Sequence, residues 1–243
     1  MTKPNGLKWT DAILPLIIIF VAVLYAFYVL NYPMDTMVAG FLTPKLIITS
    51  LRTHLFLIIV SSSLAIFTAI PLGIALTRPI LRRFCPFVVG IVNLCQTIPS
   101  FAVIAFFVGI LGIGSKTAIV ALWVYSLLPI LNNTIAGMNG LDPAIIDASR
   151  GMGMTKFHTL YKIEVPLAAT VIMAGIRTAV VINVATAVIA AYVGGGGLGD
   201  IIIAGKNINR WQVLLLGAGY ATLFALMFDY LLGLAERLMS GNY

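Results

Sequence analysis

The residues able to perform acid–base, nucleophilic or metal chemistry are few and scattered along this 243-residue chain. Cys85 and Cys95 form no CxxC pair and have no histidine close by in the sequence. His54 and His158 lie far apart, without a cysteine or an HxxxH motif around them. The eight acidic residues are scattered as well. Since a metal centre or a nucleophile–base pair needs such groups in recognisable clusters, the sequence predicts no catalytic site, no metal site and no cofactor bound by this chain.

The longest polar stretch, residues 137–166, carries the clearest local signals. Asp142 followed by Pro143 is a typical helix start, with an N-cap side chain and a proline at the first helical position. Gly151 and Gly153 should break this first short helix, and a second short helix should end before the proline that closes the stretch. We therefore predict two short helices with a glycine bend between them. An ordinary loop is the alternative.

A glycine-rich run follows the apolar segment at about 167–191. It is not a phosphate-binding loop, because it lacks the Lys-Ser/Thr of a Walker A motif and does not follow a strand. Four consecutive glycines exclude a stable helix and permit sharp turns. The glycines of this run are Gly194, Gly195, Gly196, Gly197 and Gly199.

The composition is that of an integral membrane protein. Of all residues, 60% are hydrophobic and 9% are charged, against about 25% charged residues in a soluble globular domain. A soluble fold could not cover its surface with so few charges, whereas acyl chains solvate the outer faces of membrane helices. The net charge of +7 reflects basic cytoplasmic loops rather than nucleic-acid binding, because no basic run is interleaved with aromatic residues.

We predict an all-α membrane protein with about six transmembrane helices, forming a single domain over residues 1–243. About 20 apolar residues are needed for each crossing. The third segment is too long for a straight crossing and has Pro99 at its middle, so we expect it to be broken or strongly tilted. The first segment should be an uncleaved helix, with a cleaved signal peptide as the alternative. The predicted spans are approximately residues 12–31, 48–77, 84–111, 117–136, 167–191 and 211–233, the core helices covering about 48–237.

Polar residues within the third and fifth spans are candidates for a translocation pathway. Polar groups and irregular backbone at membrane depth are tolerated only where they are buried in protein or line a cavity, and hydrogen bonding between packed helices is the alternative. Arg177 lies nearer the cytoplasmic end of the fifth span, so its side chain should extend toward the lipid headgroups. The pathway candidates are Asn93, Gln96, Thr97, Pro99 and Ser100 in the third span, with Asn183 and Thr186 on one face of the fifth.

The distribution of basic residues predicts that both termini lie in the cytoplasm, because cytoplasmic loops of membrane proteins collect Lys and Arg. This orientation leaves five basic loop residues outside, and it places residues 137–166 in the cytoplasm. The nine basic residues that it places inside are Lys3, Lys8, Arg78, Arg82, Arg83, Arg150, Lys156, Lys162 and Arg237.

The segment DASRGMGMTKFHTLYKIEVP resembles the EAA motif of permease subunits of binding-protein-dependent ABC importers. The family's pattern is E-A-A, three residues, Gly, nine residues and then Ile-x-Leu-Pro. Asp147, Ser149 and Val165 depart from it conservatively, which puts in doubt any role that needs a glutamate at the first position. The matching residues are Asp147, Ala148, Ser149, Gly153, Ile163, Val165 and Pro166, with Gly151 beside them.

The resemblance implies a type I importer permease fold, in which this loop forms a coupling helix that docks on a separate ATPase subunit. ATP and magnesium would bind to that ATPase and not to this chain. The further partners that the resemblance implies are a second permease subunit, identical or homologous, and an extracytoplasmic substrate-binding protein. It places the chain in the bacterial cytoplasmic membrane and the glycine-rich run on the outer side, as part of an outer gate or of the contact with the binding protein.

A narrower resemblance covers nearly the whole chain. Segments such as NLCQTIPSFAVIAFFVGILGIG and AAYVGGGGLGD are similar to the osmoprotectant branch, the importers of glycine betaine, choline and carnitine. This implies a quaternary ammonium solute, with a methionine-type or phosphonate-type permease as the alternative. A channel or secondary transporter is a further alternative, but it would need buried ionisable residues along the spans, and Asp229 is the only acidic candidate.

Overall fold

The computed structural model describes residues 10–31, 36–41 and 43–240, and all regular structure in these ranges is helical. This confirms the all-α prediction for the described part of the chain. Lys3 and Lys8, which entered the orientation prediction, lie outside it. The helices are α1 (Thr10–Asn31), α2 (Thr36–Phe41), α3 (Pro44–Leu76), α4 (Cys85–Thr97), α5 (Ser100–Leu111), α6 (Ser115–Asn139), α7 (Pro143–Gly151), α8 (Lys156–Thr159), α9 (Val165–Thr186), α10 (Leu198–Asn207) and α11 (Trp211–Ser240).

Four helices of the described chain are long and apolar enough to cross a membrane: α3, α6, α11 and the helix that runs from Lys156 to Val193 through α9. The pair formed by residues 82–97 and α5 makes a fifth candidate, broken by a bend of 102°. The break falls at Pro99, as the sequence predicts. In α1 only the shorter stretch Pro15–Tyr28 is apolar, so the predicted number of six spans is not confirmed.

Some helices begin or end at residues other than those predicted from hydropathy, because capping interactions determine their ends. α3 begins at Pro44 instead of about residue 48, because the side chain of Thr43 accepts a hydrogen bond from the amide of Leu46 at 3.3 Å. A threonine cap followed by proline is a recognisable start signal, but hydropathy alone does not detect it. α10 was not predicted, because the glycines before and inside it lower its helix propensity.

α6 packs closely against both α3 and α9. Small residues allow this approach, as is usual between membrane helices. A methyl group added at Gly175 of α9 would lie 2.6 Å from the Cβ of Asn133 and 2.8 Å from the carbonyl oxygen of Pro129. In the contact between α3 and α6, a methyl group added at Gly73 of α3 would lie 2.8 Å from the side chain of Thr134. These three helices therefore form the framework that positions the remaining elements.

Gly175→Ala should destabilise the protein by about 1–3 kcal/mol, because overpacking forces neighbouring side chains or backbone to shift. The measurement is the thermal melting temperature of the purified protein in detergent. Gly109→Ala in α5 is the matched control, since a methyl group there would meet nothing within 4 Å. Equal melting temperatures for the two variants would contradict the close contact between α6 and α9.

Candidate functional site

α7 forms as the sequence predicts. Asp142 is its N-cap, and the Oδ1 atom of this residue accepts a hydrogen bond from the amide of Ala144 at 2.9 Å. Pro143 takes the first helical position, where its missing amide hydrogen costs nothing. Asp147 and Arg150 are exposed and form a loose ion pair of 3.6 Å along the helix, which contributes little to stability.

The turn after α7 depends on the backbone of Gly153. This residue has φ of +78°, and its amide donates to the carbonyl of Arg150 at 2.9 Å. The amide of Met154 donates to the carbonyl of Ser149 at 3.2 Å. An added methyl group at Gly153 would meet nothing within 4 Å, so glycine is favoured here by its left-handed conformation. The predicted glycine bend thus has a specific backbone cause.

The second half of residues 137–166 differs from the prediction. Thr155 caps a helix that begins at Lys156, passes through a π turn over Leu160–Glu164 and continues through α9. The predicted end before Pro166 is therefore wrong. Proline normally interrupts a helix because it lacks an amide hydrogen, but the wider π turn just before Pro166 supplies the local rearrangement that lets the helix continue.

Residues 143–164, named here the α7 hairpin, close on themselves through a buried polar contact. The hydroxyl oxygens of Ser149 and Thr159 lie 3.2 Å apart, and both residues are almost fully buried. Ser149 also donates to the carbonyl of Ile146 at 2.7 Å. Ala148, one residue earlier, is exposed. The EAA-like residues thus divide into Ser149, which closes the hairpin, and Asp147 with Ala148, which face outward.

The outer surface of the α7 hairpin carries large side chains that nothing in the described chain covers. Met152, Phe157 and Tyr161 are 73%, 75% and 71% exposed. Ile163 and Pro166 are half-buried at the junction with α9, while Gly151 is exposed at the end of α7. Apolar and aromatic side chains on an otherwise polar segment are typical of a protein interface.

A second group of candidate residues meets around the bend between α4 and α5. The side-chain amide of Gln96 donates to the carbonyl of Tyr125 in α6 at 2.9 Å. Ser100 and Thr186 line one closed crevice, without space for a water molecule, together with Tyr125 and three apolar residues. The structure therefore brings together polar residues from α4, α5 and α9. The apolar residues of this crevice are Ile104, Ala121 and Leu122.

The other pathway candidates lie outside this crevice. Asn93, Thr97 and Pro99 are exposed on the surface of the bend, and the hydroxyl of Thr97 donates to the carbonyl of Leu94 at 2.8 Å. Asn183 is fully buried. Its amide donates to the hydroxyls of two serines of α3, at 2.7 and 2.9 Å. The position of Asn183 thus corresponds to packing between helices. The two serines are Ser61 and Ser62.

The glycine-rich run is a tightly packed joint between α3, α6 and α10. Gly194, Gly196 and Gly197 have positive φ angles of 70°, 78° and 94°. A methyl group added at Gly197 would lie 3.2 Å from the Nδ1 atom of His54, and one at Gly199 would lie 2.0 Å from the carbonyl oxygen of Val188. Gly195 is also tightly packed, because a methyl group added there would lie 2.9 Å from the Cβ of Ala118.

His54 is a buried polar residue whose position beside the glycine-rich run the sequence did not predict. It is fully buried in α3 against Gly197, and its ring stacks on Phe224 of α11 with 6.3 Å between the centroids. A lone histidine in an apolar segment gave no spacing signal, because its neighbours come from distant parts of the chain. Among the described residues, no group of three His, Cys, Asp or Glu side chains could hold a metal ion.

Arg177 forms an ion cluster that the sequence analysis did not predict. Its guanidinium donates to both carboxylate oxygens of Asp229, at 2.7 and 2.9 Å, and to Glu236 at 3.3 Å. Gly233 provides the space for the guanidinium of Arg177, because a methyl group at position 233 would lie 2.9 Å from it. Bidentate pairing fixes the orientation of both groups and connects α9 to α11.

Comparisons with known proteins cover most of the chain, including the α7 hairpin and the glycine-rich run. A family model described as "Binding-protein-dependent transport system inner membrane component" matches residues 69–241. The chain is 42% identical over 184 residues to the glycine betaine/carnitine/choline transport system permease protein OpuCB of Bacillus subtilis (strain 168), which covers 76% of this chain and 84% of that protein. It is 44% identical over 183 residues to the carnitine transport permease protein OpuCB of Listeria monocytogenes, covering 75% and 83%.

A solved structure shares the fold. The MetNI methionine ABC transporter, in an inward-facing conformation, matches with a TM-score of 0.71 and 22% sequence identity. The match covers 85% of this chain and 99% of the other. At this identity the likeness shows the arrangement of helices and nothing about the solute.

Asp229→Asn should destabilise the protein by about 1 kcal/mol, because it removes a charge from a bidentate but partly exposed ion pair. Thermal unfolding of the purified protein in detergent measures the change. Asp147→Asn removes a carboxylate from the loose, exposed pair in α7 and should leave the melting temperature unchanged. If both variants melt like the original protein, the cluster around Arg177 does not stabilise the contact between α9 and α11.

Proposed function

The chain belongs to the family of inner membrane components of binding-protein-dependent transport systems, and we propose that it forms the solute pathway of an ATP-driven importer for a quaternary ammonium osmolyte such as glycine betaine. Members of this family are multi-pass membrane transport subunits and not enzymes. The names of the similar permeases, which include glycine betaine, carnitine and choline, support the proposed class of solute.

The observation that carries the proposal is the α7 hairpin. Its inner side is closed by the contact between Ser149 and Thr159, while Met152, Phe157 and Tyr161 project from its outer side. Such a rigid, partly apolar projection suits docking on a separate ATPase subunit, which would bind ATP and magnesium. Asp147 and Ala148 are exposed on the same hairpin, where a small side chain allows two backbones to approach closely.

The hairpin is joined directly to the glycine-rich run. The helix from Lys156 to Val193 has 38 residues, so it extends over more than about 50 Å. In the proposed orientation, with both termini in the cytoplasm, the hairpin faces the ATPase and the glycine-rich run faces the extracytoplasmic binding protein. Closure of two ATPase subunits would move this helix as a rigid body and change which side of the membrane is open.

Gln96, Ser100 and Thr186 are the proposed pathway residues, because they meet at the bend between α4 and α5. Tyr125 lies in the same closed crevice. A solute would pass only after this crevice opens, and the ring of Tyr125 would then attract a quaternary ammonium group. The exposed side of the bend bears Asn93 together with Thr97 and Pro99. We assign this side to the contact with a second permease subunit, identical or homologous, across the solute pathway.

The proposed function is tested with the complete transporter, reconstituted in vesicles with its ATPase, both permease subunits and the binding protein. Uptake of radiolabelled glycine betaine, choline and carnitine is measured with and without ATP in the compartment of the ATPase. We expect uptake of at least one of them only with ATP. Uptake that is independent of ATP would contradict an ATP-driven importer, and uptake of none of the three solutes would contradict the osmolyte.

In this assay Gly153→Ala should lower the uptake rate by about tenfold, because a left-handed conformation costs a residue with a Cβ roughly 1–2 kcal/mol. Gly151→Ala is the matched control. Both glycines are exposed and a methyl group has free space at each, but only Gly153 has a positive φ. Equal uptake by the two variants would show that the turn geometry does not matter for transport.

A cysteine introduced as Met152→Cys, with Cys85 and Cys95 replaced by serine, should react with a membrane-impermeant maleimide in inside-out vesicles only. We expect this result because the α7 hairpin faces the cytoplasm in the proposed orientation, and because the side chain at position 152 is 73% exposed. Labelling is read by the shift of the protein on a gel. Labelling in right-side-out vesicles would place the hairpin outside the cell and overturn the proposed orientation.

A further inference from the structure

A buried carboxylate lies at the base of the α7 hairpin. Glu164 is the last residue of the π turn and is only 5% exposed. The Nη2 atom of Arg78 donates a hydrogen bond to its Oε2 atom, and the two residues are 86 positions apart in the sequence. A buried charge is expensive to maintain without a partner of opposite sign, so this ion pair is a specific feature of the fold.

Arg78 is itself anchored to the end of α3. It follows the C-cap Thr77, and its Nε atom donates to the carbonyl of Ile74 in the last turn of that helix at 3.4 Å. A cation is favourable at a helix C-terminus, where the carbonyl groups lack helical partners. The guanidinium of Arg78 therefore joins the end of α3 to the helix that leads from the hairpin into α9.

Apolar packing beside the ion pair connects the same elements. Leu160 of the π turn packs with Ile70 and Ile74 of α3 against a small cluster of buried residues from α6 and α9. A groove of about 390 Å³ runs along this junction, lined by charged side chains that include Arg78 and Glu164. The pair thus closes the edge of a junction whose interior is apolar. The buried residues of the cluster are Met138, Ala168 and Ile172.

α3 and α9 are connected at two further levels. Farther from the hairpin, the amide of Asn183, near the end of α9, donates to the hydroxyls of Ser61 and Ser62 at the middle of α3. At the far end, His54 of α3 lies in direct contact with Gly197 of the glycine-rich run. The two helices run antiparallel, and the ion pair, the buried amide and this close contact join them at three levels.

We propose that Arg78 and Glu164 are positioning residues that make α3 and α9 move as one body with the α7 hairpin. This inference rests on the proposed function, since it assigns a role to the ion pair within an ATP-driven importer. A movement of the α7 hairpin is then transmitted to the glycine-rich run by both α3 and α9, and not by α9 alone. Without the pair, the hairpin can rock on the ATPase while α3 stays behind, and ATP is hydrolysed with less solute moved.

The test is the number of glycine betaine molecules taken up for each ATP hydrolysed by the reconstituted transporter. Arg78→Ala and Glu164→Ala should each lower this ratio by about tenfold, because either change removes the link between the end of α3 and the π turn. Arg78→Ala also leaves the buried charge of Glu164 unpaired. The double variant R78E/E164R restores opposite charges in exchanged positions and should recover most of the ratio. Glu164→Gln, which preserves the volume of the side chain, should show the same loss as Glu164→Ala.

Arg82→Ala is the matched control, because Arg82 is an exposed arginine four residues after Arg78 and its removal should leave the ratio unchanged. The amount of assembled complex is measured by size-exclusion chromatography for every variant. Single variants that assemble and keep the original ratio would overturn the inference, as would a charge-exchanged pair no better than the single variants. If the original protein itself shows no uptake that depends on ATP, the proposed function fails instead.

Discussion

Water is absent from the hydrocarbon layer of a membrane, so each polar group at that depth needs a partner within the protein. Several charged and amide groups of the described helices have such partners. Arg177 is held by Asp229 and Glu236, and Asn183 donates to serine hydroxyls of α3. Each partner comes from another helix, so satisfying the polar groups also determines which helices stay together.

The same constraint produces a connected mechanical unit. The helix from Lys156 to Val193 carries the α7 hairpin at one end and the glycine-rich run at the other. α3 accompanies it, joined by polar contacts near the hairpin and near the end of α9, and α6 packs against both where small residues permit close approach. A membrane transporter that is driven from one side needs such a rigid link, because soft connections would dissipate the movement locally.

Local conformation decides the two places where the chain turns sharply. Gly153 adopts a left-handed φ with free space around it, whereas Gly197 combines a left-handed φ with direct contact to His54. The first glycine shapes an exposed turn that a partner can grip. Gly197 allows the backbone of the glycine-rich run to lie against α3. The run therefore fixes how the ends of α3, α6 and α10 are arranged.

The sequence by itself determined the membrane class, the start of α7 at Asp142 and Pro143, the glycine bend at Gly153 and the break at Pro99, because these depend on composition and on interactions between near neighbours. Tertiary structure alone decided that the helix continues past Pro166. It also decided that Arg177 joins an ion cluster and that Glu164 is paired with Arg78, since their partners lie 52 and 86 residues away. Periodicity and hydropathy carry no information about such distant pairs, which form only when the helices have packed.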